Sequence, residues 1–371
     1  MSTRTLLCSL LIAFGTLLNA APKLEVIHSG ERKWELLLAD LEQAQVSICM
    51  EYYRFADDES GRAVHDVLIR KAREGLPVRL IVENIVHGLM PRRFFTEMSQ
   101  AGVDVRFFTD LNRWDALSGI NWRDHRKIVV IDSRIGYVGG MNLSDNYRYR
   151  WRDTHLRIEG TSVEQLEGIF YHTWKALGGT GTPVDPDACT PDKDIEFIAG
   201  GSAYPVFVKR YLQALDSARD YAYFETPYLC PPDTLVSAMK AAAARGVDVR
   251  IIVPEKADHD LLTVANQSFY PVLMEAGVRI YEYLPRFDHS KVFICDDAQC
   301  WIGSVNLDNR SLYIDYEVCA CIRDKETVKA QKDCFLDLLD ESHEIALEEA
   351  ETKAKGRPMS RMLVRMLESQ L

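Results

Sequence analysis

The sequence lacks a surplus of positive charge, a cysteine or histidine cluster with metal-binding spacing, and an apolar run long enough to be an unambiguous membrane span. Lysine and arginine number 44 against 55 aspartates and glutamates, a formal net charge of −11. Such a chain repels a polyanion as a whole, which argues against a nucleic-acid partner. Nine cysteines are present, but Cys295, Cys319 and Cys321 sit in strand-like apolar runs and read as small buried hydrophobes rather than disulfides or nucleophiles. No metal and no cofactor is expected. At the N-terminus Arg4 precedes the apolar stretch Leu6 to Ala21, which contains Ser9, Gly15, Thr16 and Asn19. A bilayer core needs about 20 predominantly apolar residues, whereas a signal peptide needs a shorter core ending in small residues such as Ala20 and Ala21. Residues 1–21 therefore read as a signal peptide or an N-terminal membrane anchor. The cysteine usage fits a reducing compartment and pulls against export, so the side of the membrane stays open.

What the 371 residues do contain is a duplication. His125-Arg-Lys-Ile-Val-Val-Ile-Asp132 returns as His289-Ser-Lys-Val-Phe-Ile-Cys-Asp296, at an offset of 164 residues. Counting from each histidine, position +14 is Gly139 or Gly303, +17 is Asn142 or Asn306, and +28 is Asp153 or Glu317. Upstream, Gly75-Leu-Pro-Val-Arg-Leu-Ile-Val82 answers Gly246-Val-Asp-Val-Arg-Ile-Ile-Val253. Each half runs helix, apolar strand, helix, strand and then a hairpin carrying the histidine. That alternation predicts an α/β fold of two similar half-domains, with mixed sheets flanked by helices. The Gly- and Pro-rich stretch after Leu177 marks a boundary. The expected organisation is a first domain over 22–177, a linker over 178–195, a second domain over 196–350 and a tail over 351–371.

Residues two apart on a strand share a face, so His125 with Lys127, and His289 with Lys291, project together. Asp132 and Asp296, at +7, have the opposite parity and suit a supporting role. Two such faces meeting across a pseudo-twofold axis gather two imidazoles, two ammonium groups and two Asn amides around one small anion. One neutral imidazole can attack phosphorus while the other, protonated, supplies a proton to the leaving alkoxide. Lys127 and Lys291 would offset charge on the equatorial oxygens, with Asn142 and Asn306 as donors. Each imidazole also needs an acceptor on its second nitrogen to set the tautomer, and Asp153 and Glu317 are the candidates.

This constellation resembles the phospholipase D superfamily, whose signature is His-x-Lys-x4-Asp twice in one chain followed by a Gly-rich turn with Asn. The resemblance covers nearly everything after residue 22. Within it, Trp151-Arg-Asp-Thr-His-Leu-Arg-Ile-Glu-Gly160, Tyr223-Phe-Glu-Thr-Pro-Tyr228 and Val253-Pro-Glu-Lys-Ala-Asp-His259 look like bacterial cardiolipin synthases. The resemblance implies an active site at the pseudo-twofold interface, built from His125, Lys127, Asp132, His289, Lys291 and Asp296. It further implies transfer of a phosphatidyl group between two phosphatidylglycerols through a phosphohistidine, with glycerol released. His125 would be the nucleophile and His289 the general acid and base. The implied partner is anionic phospholipid at a membrane surface of the bacterial cell envelope. Hydrolysis to phosphatidic acid is the alternative outcome of the same intermediate, and a nuclease or other phosphodiesterase is a third. Many relatives have two N-terminal spans where this sequence has one short apolar segment.

Other residues carry less. His155 reads as a core histidine, and His259 as a loop residue that either touches substrate or is solvated. Glu51 and Glu225 end matching strands and either line the site's floor or are satisfied structural carboxylates. Leu89, Met90, Phe94, Phe95, Trp114, Leu117 and Trp122 divide between core and an acyl-chain entrance. Arg357, Arg361 and Arg365 recur every four residues opposite Met359, Met362, Leu363 and Met366, the pattern of a basic amphipathic helix at a headgroup boundary.

Overall fold

A computed structural model describes residues 21–87, 93–108, 122–181, 192–201 and 205–355. The leader, most of the Gly/Pro-rich linker and the terminal arginine repeat lie outside these described residues, as do Leu89, Met90, Trp114 and Leu117. Among the described residues no helix is long and apolar enough to cross a membrane.

The first half forms a seven-stranded sheet from β1 (Lys23–Ile27), β2 (Ile48–Tyr52), β3 (Val78–Glu83), β4 (Asp104–Phe108), β5 (Lys127–Ile131), β6 (Ile135–Gly139) and β7 (His155–Glu159). Its spatial order is β1-β7-β6-β5-β2-β3-β4. The second half adds β8 (Ile195–Gly200), β9 (Tyr221–Glu225), the two-residue β10 (Leu229–Cys230), β11 (Asp248–Pro254) and β12 (Arg279–Tyr283). It continues with β13 (Val292–Cys295), β14 (Gln299–Gly303), the two-residue β15 (Leu307–Asp308), β16 (Glu317–Ile322) and β17 (Ser342–Glu344). Its eight-stranded sheet runs β8-β16-β14-β13-β9-β11-β12-β17. Replacing each strand by its repeat partner turns one order into the other, with β17 as an extra edge. In both sheets the three strands joined by helices are parallel and the hairpin strands antiparallel, as a helix crossover and a tight turn respectively demand.

Alternating side chains divide the apolar content between two faces of each sheet. On the outer face of the first sheet, Met50, Leu80, Val82, Val129 and Tyr137 pack with α1 (Gly30–Gln43), α2 (Glu59–Arg73) and α3 (Arg93–Gln100). The inner face (Cys49, Ile81, Ile128, Val130) shares one core with α4 (Val163–Ala176) and with inner-face residues Tyr223, Ile252, Ile294 and Ile302 of the second sheet. The second sheet's outer face, through Phe224, Ile251, Phe293 and Trp301, packs with α5 (Val206–Ser217), α6 (Asp233–Ala244) and α7 (Asp260–Met274). Helix α8 (Lys325–Asp340) returns to the central core through Val328, Phe335 and Leu338. Because that core lies between the inner faces of the two sheets, the halves are held face to face with the histidine ends of β5 and β13 facing one another. Phe94 and Phe95 are buried in the outer core of the first half, so they are packing residues and not part of an entrance.

Candidate active site

The residues ahead of β5 and β13 cross the seam between the halves. The amide of His125 donates to Tyr316 O at 2.9 Å, and that of His289 to Arg152 O at 2.8 Å. Tyr316 N and Arg152 N donate back to Arg123 O and Phe287 O, at 2.8 and 3.0 Å. Each histidine is thus pinned by backbone to the segment of the other half that leads into β16 or β7.

The next residue of that segment is the +28 acid, so the pairing of histidine and carboxylate is exchanged between halves. His125 Nδ1 lies 2.9 Å from Glu317 Oε1, and His289 Nδ1 lies 2.7 Å from Asp153 Oδ2. An Nδ1–H donated to the carboxylate leaves the Nε2 lone pair for the substrate side. Lys291 Nζ also stands 2.8 Å from His289 Nδ1. That nitrogen can donate to Asp153 or accept from the ammonium, and only the first option frees Nε2. Both carboxylates are braced: Asp153 Oδ1 accepts from Thr154 N at 2.7 Å, and Ser304 Oγ donates to Glu317 Oε2. Gly140 is needed beside Asp153, because a Cβ there would collide with the carboxylate.

Lys127 and Lys291 each donate to the carbonyl of the histidine two residues before, which places the ammonium groups beside the imidazoles. All of these groups are buried, and burial sets their proton affinities. Desolvation first, and the neighbouring lysines second, push both imidazoles well below the ordinary histidine range. Burial brings Lys127 down to about 7 and Lys291 to about 8. It lifts Asp153 and Glu317 to about 7. A bound phosphodiester anion opposes these shifts at the lysines and imidazoles, since an opposite charge favours the cationic form.

The remaining sequence candidates fall elsewhere. Asp132 and Asp296 stand at the far ends of β5 and β13, seven residues from the histidines, about 20 Å along an extended strand. They occupy left-handed backbone (φ 54° and 51°) in the hairpin turns. Asp132 accepts from the amides of Gln45, Val46 and Ser47, and Asp296 from those of Arg219, Asp220 and Tyr221, at 2.6–3.2 Å. They anchor each hairpin to the start of the neighbouring strand and do not reach the substrate position. Asn142 is buried, with Oδ1 accepting from Arg54 N at 3.0 Å and Nδ2 donating to Tyr147 OH at 2.8 Å. One of its two amide N–H donors is therefore engaged. Asn306 is buried with Oδ1 lacking a hydrogen-bond partner. His155 is buried and accepts from Met141 N at 3.3 Å, whereas His259 is exposed at the start of α7.

Several residues around the two rings were not singled out from the sequence for that place. Tyr147, Trp151, Phe287 and Tyr228 surround the His289 ring at centroid distances of 5.3, 5.8, 5.8 and 6.3 Å. His125 has Tyr53 at 4.9 Å. Among the described residues the aromatic wall lies on the His289 side; Leu89, Met90, Trp114 and Leu117, in the connections leading to the first motif, lie outside them. Glu51 and Glu225 lie beneath the site as fully buried carboxylates facing Arg126 (3.5 Å) and Arg152 (2.6 Å). Two symmetric imidazole–carboxylate pairs with two ammonium groups between them constitute an acid–base and nucleophile set for an anion at the seam. Among the described residues no group of three or more His, Cys, Asp or Glu is placed to hold a metal ion.

Comparison with known proteins gives the same two units. A family profile described as cardiolipin synthase, PLD-like domain, matches residues 37–174 and 211–339. Cardiolipin synthase 2 of Bacillus cereus is 36% identical over 86% of this chain and 65% of its own length. Cardiolipin synthase 2 of Bacillus anthracis is 34% identical over 92% and 69%, and the cardiolipin synthase of Geobacillus sp. (strain WCH70) is 34% identical over 95% and 71%. The chain thus spans about two thirds of the length of these relatives. In fold it is similar to a phosphatidylserine synthase of Haemophilus influenzae, with TM-score 0.73 and 15% identity over 98% of this chain and all of that one. A polyphosphate kinase of Porphyromonas gingivalis has TM-score 0.62 and 14% identity over 94% of this chain and 53% of its own.

Proposed function

The chain belongs to the cardiolipin synthase family of phospholipase D-like enzymes, and from that premise we propose that it joins two phosphatidylglycerols into cardiolipin and releases glycerol. The observation that carries this reading is the exchanged pairing His125–Glu317 and His289–Asp153, with Lys127 and Lys291 beside the two rings. His125 Nε2 attacks the phosphorus of the first lipid, and the P–O bond to the glycerol head group breaks as the His289 imidazolium gives it a proton. His289, now neutral, takes the proton of a hydroxyl on the second phosphatidylglycerol. That oxygen attacks the phosphohistidine, the P–N bond breaks, and His125 is regenerated. Lys127 and Lys291 offset the charge gathered on the equatorial oxygens in both steps. Glu317 and Asp153 hold the tautomers and stabilise each imidazolium as it forms.

A lipid substrate sets the place of work at a bilayer surface. Two exposed segments support that reading. Tyr149 and Arg150 precede Trp151, Leu284 and Arg286 precede Phe287, and Trp151 touches Phe287 at 4.9 Å beside His289. Apolar tips with arginines suit an anionic headgroup boundary in a chain that is otherwise acidic. Membrane association at the bacterial cell envelope is part of the proposal, as is a membrane-bound or signal-directed N-terminus.

The test is incubation of the purified protein with radiolabelled phosphatidylglycerol in vesicles, followed by lipid separation. Labelled cardiolipin is expected. Phosphatidic acid alone would mean that water is the acceptor, and no turnover would overturn the reading.

A further inference from the structure

The two halves repeat the same parts, so a position where they differ shows which group has been moved. At +1 from the histidine the first half has Arg126 and the second Ser290; at +27 the first half has Arg152 and the second Tyr316. Both guanidinium groups near the site's floor therefore come from the first half, and they serve different histidines.

Arg152 reaches across the seam. Its Nη1 donates to Glu225 Oε2 at 2.6 Å, to both Asp288 oxygens at 3.0 Å and to Ser290 Oγ at 2.8 Å. Asp288 and Ser290 flank His289, whose own amide donates to Arg152 O at 2.8 Å. One residue thus grips the 287–290 segment by backbone and side chain, and its chain neighbour is Asp153, the carboxylate on His289 Nδ1. Around His125 the matching place is filled from the first half itself. Arg126 Nε donates to Glu317 O at 3.2 Å, Nη1 lies 3.5 Å from Glu51, and the guanidinium lies over the Tyr316 ring at 5.3 Å.

We propose that Arg152 is the positioning residue for His289, setting the angle of the proton donor from across the seam, while Arg126 does the corresponding work for His125 through Glu317. The inference rests on the functional reading above, because it takes His289 as the proton donor and His125 as the nucleophile. Arg152 is buried with Nη1 turned to Glu225, Asp288 and Ser290 and Nη2 toward Cys334 Sγ at 3.9 Å, and such a planar guanidinium has a fixed set of donor directions that the rotatable ammonium of a lysine lacks. Shifting such a support by a few tenths of an ångström harms the proton transfer more than nucleophilic attack. The internal repeat also supplies a rescue: Arg152→Tyr with Ser290→Arg rebuilds around His289 the arrangement already present around His125.

The test compares two single-turnover measurements on the full chain in vesicles. One is release of glycerol from phosphatidylglycerol, which needs a proton on the leaving oxygen. The other is release of nitrophenolate from the p-nitrophenyl ester of phosphatidic acid, which does not. Arg152→Lys is expected to slow glycerol release about tenfold or more beyond any loss of nitrophenolate release, the size expected when a supporting hydrogen bond is removed. Arg126→Lys is expected to slow both together. Arg152→Tyr should show a larger imbalance, and Arg152→Tyr/Ser290→Arg should return the ratio toward the original. Equal losses with Arg152→Lys, or none, would overturn the proposal whether or not the tyrosine variants fold. A folded double variant that keeps the imbalance of the single one would also count against it. If the unaltered protein releases nitrophenolate but no glycerol, the assigned donor lipid is wrong. The comparison then moves to whichever alkyl phosphodiester it does cleave, so the two failures stay distinct.

Discussion

At the scale of single residues, the site is a balance between burial and charge. Two imidazoles made hard to protonate, two lysines at about 7 and 8 and two carboxylates at about 7 share one buried volume. Their pH consequences have definite signs. Below about 7, Asp153 and Glu317 take up protons and cease to stabilise an imidazolium. Above about 8, Lys127 and Lys291 are neutral and lose their hold on an anionic phosphate. The expected profile of kcat/KM is bell-shaped with its maximum between those limits, and the alkaline limb of kcat lies higher because bound phosphate raises the lysines. Alkaline limbs that coincide in the two profiles would mean that the lysines do not face the phosphate. The imidazoles differ in task. Rapid alkaline quenching with a labelled p-nitrophenyl phosphodiester should leave label on His289→Ala and none on His125→Ala, since nitrophenolate departs without a proton. The reverse pattern would exchange the two assignments.

Elements determine where these residues sit. The Asp-bearing hairpin turns place non-glycine residues at positive φ, a conformation that Asp tolerates better than most residues. Each carboxylate gathers backbone amides at the head of β2 or β9. Asp132→Ala and Asp296→Ala should therefore act on stability before chemistry, each lowering it by about 1–3 kcal/mol for the lost charge-assisted hydrogen bonds. Urea unfolding measures the loss, and kcat of the folded fraction should stay near the original. A collapse of kcat with unchanged unfolding would instead place these aspartates in the reaction. The segments that carry Trp151 and Phe287 act at the opposite end of their strands. Replacing exposed Leu284 and Tyr149 by Asp should weaken binding to phosphatidylglycerol vesicles, read by co-sedimentation, while nitrophenolate release from a short-chain soluble analogue persists.

For the whole molecule, neither half is complete. The carboxylate that serves His125 is on β16, the one that serves His289 stands before β7, and the central core draws on both sheets. Residues 22–181 and 192–355 made separately should each fail to turn over phosphatidylglycerol, and an equimolar mixture made by co-expression should recover activity. Circular dichroism and lipid separation check both statements. Activity from either half alone would contradict a site shared across the seam.

The duplication was legible in the sequence because strand parity and turn chemistry are local: a two-residue period puts His and Lys on one face, and Gly and Asp mark the hairpins. The α/β class, two mixed sheets with helices, followed from the same periodicity, and the family from the resemblance carried by the duplicated His-x-Lys-x4-Asp motif. The +28 acids were visible as a pair matching the two histidines. Which acid serves which histidine was not, because Glu317 meets His125, 192 residues away in sequence, only when the inner faces of the two sheets dock on one core. The aromatic wall at His289 and the two arginines were hidden for the same reason. Trp151 and Phe287 belong to different halves, and Ser290 in place of an arginine looks like an ordinary difference between repeats until Arg152 is seen beneath it. Local sequence determined the parts and their faces; the burial that shifts their protons, and the exchange of partners across the seam, arise only where desolvation and long-range contact act together.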